Sequence, residues 1–114
     1  MAAWTLTIRH GPQVDREGYD DLDDAVAELR RRVDEIRAEG PLESRQMLRD
    51  FEPADQVAAR LEIAGKGFFR APAAGVDVKG DGRVVPFAGG IRREEVKPRR
   101  GGDAFDAVRQ ALVG

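Results

Sequence analysis

VAARLEI, residues 57–63, alternates Val57, Ala59, Leu61 and Ile63 with Ala58, Arg60 and Glu62. That period of two belongs to a strand with one face on a core and the other toward polar surroundings. Pro53 precedes the run and Gly65-Lys66-Gly67 breaks it, so it is expected to be a central strand. Just downstream, Val76 and Val78 lie before Gly80-Asp81-Gly82 and Val84-Val85 lie after it, the pattern of a β-hairpin whose glycines take positive φ. Pro86 has no N–H for a ladder, which points to an edge or a bulge at that position. Gly89-Gly90 permits a further bend before a strand over residues 91–96.

Upstream, Trp4, Leu6 and Ile8 alternate with Thr5, Thr7 and Arg9, a half-buried strand that His10-Gly11-Pro12 ends. Over residues 20–39, Leu22, Ala25, Val26, Leu29, Val33 and Ile36 recur at steps of three and four and form one helical stripe. Asp20 is the expected cap, the following acids suit the positive dipole end, and Gly40-Pro41 supplies the stop. Glu28 with Arg32 is expected as an outward i,i+4 pair; Arg30 with Asp34 and Arg31 with Glu35 have the less favourable orientation. Residues 43–52 fit a helical turn through Met47, Leu48 and Phe51, or a strand face through Met47, Arg49 and Phe51; the strand is preferred. The last helix is expected to open on Asp103, with Asp106 at its third position and Phe105, Val108, Ala111 and Leu112 along one side.

The expected class is therefore α+β: a mainly antiparallel sheet with two amphipathic helices on one face, in the order β-α-β-β-β-β-α. At 114 residues the chain suits one small domain. Its 41% hydrophobic and 35% charged residues place it among globular chains. Residues 68–75, FFRAPAAG, are expected to be an ordered loop or strand end whose aromatic pair joins the core.

The sequence has no cysteine, which excludes disulfides, thiolate metal centres and thiol nucleophiles. The opening MAAWTLTIRHG lacks the pattern of an export signal, and no run approaches the length of a membrane span, so a cytoplasmic protein without membrane attachment is expected. Net charge is −2, from 19 basic and 21 acidic residues, which argues against attraction to a polyanion by the whole surface. A local patch is required for such binding.

No motif specifies catalysis, and neither a cofactor nor a metal is expected. His10 is the one histidine, and nothing in its spacing from Asp15 and Glu17 makes a metal or acid-base site of it. Asp20, Asp21, Asp23 and Asp24 are accounted for by a helix start. The run DVKGDG, residues 77–82, has Lys79 where a calcium loop needs an oxygen ligand, and Gly65-Lys66-Gly67 lacks the rest of a phosphate-binding loop. The basic residues Arg92, Arg93, Lys97, Arg99 and Arg100 are the candidate nucleic-acid contacts, interrupted by Glu94 and Glu95. Pairing with neighbouring acids is the competing account of them.

The α-β-β-β-α run is similar in outline to double-stranded RNA-binding domains, and with its leading strand the order resembles that of ribosome-hibernation factors. The resemblance is one of element order and transfers no residues, and Asp103 and Asp106 put negative charge where such a helix would meet phosphate. The expected role is a noncatalytic interaction or structural module with a protein partner or a second copy as a homodimer. The alternative is RNA or DNA binding through the basic patch, with carboxylate-dependent catalysis as a third class.

The helical stripe carries a direct test. Leu29→Asp places an uncompensated carboxylate in the predicted seam and is expected to cost several kcal/mol, a large part of the roughly 5–15 kcal/mol that holds an ordinary domain together. Thermal denaturation checks it, and an unchanged midpoint would remove the stripe from the core.

Overall fold

A computed structural model of the chain describes residues 3–39, 57–66, 71–89 and 93–113. In order these form β1 (Trp4–His10), β2 (Gln13–Tyr19), α1 (Leu22–Ala38), β3 (Val57–Gly65), β4 (Ala73–Lys79), β5 (Val84–Ala88), β6 (Glu94–Glu95) and α2 (Ala104–Val113). The described strands make one sheet in the order β2-β1-β3-β4-β5-β6, with every neighbouring pair antiparallel. The α+β class and the helices on one face are as the sequence indicates. The preferred strand at residues 43–52 lies outside the described residues.

The alternation in VAARLEI gives the core its rows. Leu61 lies opposite Ile8 of β1 and Val76 of β4, and Ile63 lies opposite Leu6 and Ala74. These residues share one buried cluster with Leu22, Ala25, Leu29, Val33 and Ile36 of α1 and Val108 and Leu112 of α2. Leu29, Val33, Leu61, Ile63, Val76 and Val108 have no exposed surface. At about 1.5–3 kcal/mol for each large apolar side chain fully withdrawn from water, this layer is the main source of stability.

β2 is the strand the sequence conceals. His10-Gly11-Pro12 does not merely end β1; it turns the chain back on it, with His10 opposite Gln13. Gly11 has φ 60 at the first central position of a two-residue connection, and since Pro12 cannot follow with positive φ, the turn is type II′. QVDREGY has no apolar face because β2 is an edge strand, exposed at every residue before Tyr19. Asp15 and Glu17 in the middle of its inward row are acids met by α1: Arg32 reaches Asp15 at 2.9 Å and Glu17 at 3.5 Å. The expected Glu28–Arg32 pair is present at 3.9 Å but is largely covered instead of outward, while Arg31 binds Glu28 at 2.6 Å and its expected partner Glu35 at 2.7 Å.

The start of α1 differs from expectation by one residue, while α2 opens on Asp103 as expected. The cap of α1 is Asp21 instead of Asp20: its backbone is extended and its carboxylate accepts from the Asp23 amide at 2.9 Å. Arg30, expected beside Asp34, crosses to Asp103 of α2 at 2.9 Å, and Arg109 of α2 crosses back to Asp23 at 2.8 Å. These two pairs set α1 and α2 antiparallel.

The β4–β5 hairpin forms about Gly80-Asp81-Gly82, but only Gly82 has positive φ, at 93°. The Lys79 amide donates to the Arg83 carbonyl, the Gly82 amide to the Lys79 carbonyl, and Asp81 accepts from the Arg83 amide and side chain. β4 starts at Ala73, so the latter part of residues 68–75 is the expected strand end, and Phe68 and Phe69 lie outside the described residues. Gly75 is obligatory there, since a Cβ would stand 1.9 Å from the Leu61 carbonyl oxygen. Opposite it lies buried Phe87.

Pro86 explains why the last strand is short. The Val96 amide donates to the Pro86 carbonyl, so the backbone side that lacks an N–H faces β6 and the ladder to β4 loses nothing. The reciprocal bond to Val96 is impossible, so β6, described at Glu94 and Glu95, ends before Val96, short of the expected strand to residue 96. Ile91 and Arg92 lie outside the described residues.

The hydrogen-bond alternation can be followed across the sheet. The Gly65 amide points toward β4, where it meets the Pro72 carbonyl, so Arg60, Glu62 and Ala64 turn their main-chain groups toward β1. Carrying that register through β1 leaves Gln13, Asp15, Glu17 and Tyr19 bonded to β1, with the main-chain groups of Val14, Arg16 and Gly18 pointing outward. Hydrogen exchange followed by NMR is expected to show slow amides at 13, 15, 17 and 19 and fast ones at 14, 16 and 18. The opposite alternation would mean a one-residue slip of β2.

Candidate nucleic-acid interface

The chain leaving β6 makes a sharp turn before α2. The Gly102 amide donates to the Arg99 carbonyl at 2.8 Å and Gly101 has φ 84, the positive value that a type II turn needs at its third residue. Arg99 and Arg100 therefore sit at an exposed tip held by two glycines. The turn feeds into a reciprocal cap: the Asp106 amide donates to Asp103 Oδ1 at 2.9 Å, and the Asp103 amide donates to Asp106 Oδ2 at 3.1 Å. Arg30 closes the other side of Asp103 and stacks 4.4 Å over the Phe105 ring.

Between this segment and α2 lies an open cleft of about 600 Å³. Lys97, Arg99 and Arg100 line one wall; Arg109 and Gln110 of α2 line another together with Asp106, whose carboxylate is engaged by the Asp103 amide, and Val96 is among the apolar lining residues. The three cations are exposed and have no hydrogen-bond or ion-pair partner among the described residues. Arg109 is held by Asp23 at the same time.

The five-residue patch expected from sequence is divided. Lys97, Arg99 and Arg100 meet at the cleft, whereas Arg93 lies 5.7 Å from the centre of the Phe87 ring. Phe87 shares its row with Gly75 and Glu62, on the opposite side of the sheet from the Leu61 and Val76 core row. Arg92 is outside the described residues. Conversely, Arg109 and Gln110 were legible only as the polar side of a helix, because their approach to residues 97–100 depends on how α2 docks.

The acids nearest to chemistry are structural. Asp103 is held below the usual carboxylate range by the Asp106 amide and then by Arg30. Glu28 is lowered by its bond to Arg31, and Asp81 by the Arg83 amide. Asp77 binds Arg60 through two contacts of 2.6 and 3.0 Å, so both acids of the DVKGDG run are engaged by arginines. Tyr19 is shifted the other way, its phenol raised by burial and by bonding to Glu17. His10 stands 3.5 Å from Glu39. Among the described residues no group of three or more histidine and acidic side chains is placed to hold a metal ion, and no helix is long and apolar enough to cross a membrane. Comparison with protein-family models, curated proteins and solved structures finds no match.

Asp103 supplies the test of this local geometry. Asp103→Ala removes the cap and the Arg30 contact and is expected to cost about 0.5–2 kcal/mol with the fold retained. Because the folded carboxyl is lowered, its contribution is present above the ordinary carboxylate range and is lost as pH falls through the folded value. Denaturant titrations should show the gap between wild type and variant at pH 7 and its narrowing in acid below about pH 4. A gap that widened on acidification would contradict the assignment.

Proposed function

We propose that the protein is a noncatalytic interaction module that holds the phosphate backbone of a nucleic acid at Lys97, Arg99 and Arg100. The supporting observation is that these three neighbouring, exposed cations have no acidic partner among the described residues. Six other arginines, Arg30, Arg31, Arg32, Arg60, Arg83 and Arg109, are each matched to a carboxylate, while Arg16 is also without an ion pair among the described residues but stands on β2, apart from the cleft. A net charge of −2 is thus compatible with a local positive site. Guanidinium groups favour phosphate through paired N–H donors, and such contacts position a nucleic acid without reading its bases. A cytoplasmic location accords with this role.

The homodimer and the carboxylate enzyme are less well supported. The sheet side away from the helices carries Thr5, Thr7, Arg9, Arg16, Arg60, Glu62 and Asp77 among Val14, Ala64, Val85 and Phe87, a mixed surface instead of the continuous apolar one expected of a face-to-face homodimer. The acids with resolved shifts are lowered, the reverse of what a general acid at neutral pH requires.

The test is binding to mixed-sequence RNA and duplex DNA across a salt series. Three phosphate contacts imply a fall in duplex affinity of about 40-fold between 50 and 200 mM salt, at a slope of about 0.9 per contact. The combined variant Lys97→Ala, Arg99→Ala and Arg100→Ala should bind weakly with a nearly flat salt dependence, while Arg93→Ala should stay close to wild type. No wild-type binding at low salt would reject the proposal, and an unchanged triple variant would reject the site.

A further inference from the structure

Among the described strands β2 ends the sheet as a seven-residue strand, whereas the opposite end is the two-residue β6. Its register with β1 runs without a shift from Trp4 opposite Tyr19 to His10 opposite Gln13, and no proline lies within it. The main-chain donors and acceptors of Val14, Arg16 and Gly18 point away from the sheet, a ready template for another strand. The strand is held straight from below, since Arg32 bonds Asp15 and Glu17, and Tyr19 donates to Glu17. The outer face differs: Val14 is 44% exposed, Arg16 is exposed with no ion pair among the described residues, and Gly18 has no side chain.

A second copy does not suit this edge. Two β2 strands pairing about a two-fold axis with most of their length overlapped must put Asp15, Arg16 or Glu17 opposite itself. Like charges directly opposite oppose pairing. A foreign strand escapes that restriction, and the exposed Arg16 and Val14 define what it should carry.

We propose that β2 is a strand-addition site for an extended segment of another protein, with a carboxylate opposite Arg16 and an apolar side chain opposite Val14. Backbone bonds at 14, 16 and 18 supply the attachment, and the Arg16 contact selects the segment. The site is independent of the Lys97–Arg100 cleft.

The probe is the capped peptide Thr-Val-Thr-Glu-Thr-Val-Thr, which reads the same in both strand directions, with a lysine-centred version as control. The wild-type chain should prefer the glutamate peptide by about three- to tenfold, and Arg16→Glu should invert the preference. Hydrogen exchange should show the amides of Val14, Arg16 and Gly18 becoming protected on binding. Arg16→Pro removes an outward donor without breaking the ladder to β1, so it should abolish peptide binding with the melting temperature little changed. If that variant unfolds, the Arg16→Glu inversion and the wild-type exchange pattern decide. No preference between peptides, binding without protection at these amides, or protection that grows with protein concentration alone would each overturn the proposal.

Discussion

Leu61 faces Ile8 on one side and Val76 on the other, joining strands that the chain cannot join locally. β2, α1 and the residues to position 56 separate β1 from β3, so their pairing is a long-range closure whose entropy must be recovered by burial. Recovery comes from the helical stripe, because Leu29 and Val33 share a fully buried cluster with Leu6, Leu61 and Ile63. β2 can then remain almost wholly exposed, attached by one ladder and the Arg32 contacts. β5 and α2 add to the far side, where Val108 and Leu112 extend the same core.

Charge is organised around this core. Long arginine side chains can bridge elements while keeping much of their stems against the protein. Arg32 ties α1 to β2, Arg30 and Arg109 tie the helices together, and Arg60 ties β3 to β4. The exposed pairs among these are individually worth little, about 0–1 kcal/mol, so their principal effect is to fix which surfaces meet. They also occupy carboxylates that would otherwise neutralise cations elsewhere. Lys97, Arg99 and Arg100 lie beyond that network, on a turn whose shape is set by Gly101 and the Asp103 cap.

What was legible in the sequence was what burial or capping had written into it. Leu22, Leu29, Val33 and Ile36 revealed α1 because one face had to be apolar, Leu61 and Ile63 revealed β3 for the same reason, and Asp103 with Asp106 revealed the start of α2. Gln13–Tyr19 left no such mark, since an edge strand with acids in the middle of its inward row has no apolar period; Gly11 before Pro12 was its one local signal. The division of the basic patch was equally hidden. Arg93 and Lys97 are close in sequence, but Pro86 shortens β6 and the chain then leaves the sheet, separating Arg93 beside Phe87 from the residues facing α2. Side-chain pairing across elements, as with Arg30 and Asp103, likewise follows from docking and outcompetes the local i,i+4 partner.

The two proposed surfaces lie at opposite ends of the sheet and differ in physical character. Five strand spacings separate β2 from β6, about 24 Å at the usual 4.7–4.9 Å each, or more than twice the screening length of about 8–10 Å at physiological salt. Charge bound at Lys97, Arg99 and Arg100 therefore has little direct effect on a strand at Arg16. Cation–phosphate contact weakens steeply as salt rises, while main-chain pairing at Val14, Arg16 and Gly18 depends chiefly on short-range hydrogen bonds. A rigid sheet with one such surface at each end can engage two ligands without either occupying the other's place. Salt separates their contributions because only the first is dominated by counterion release.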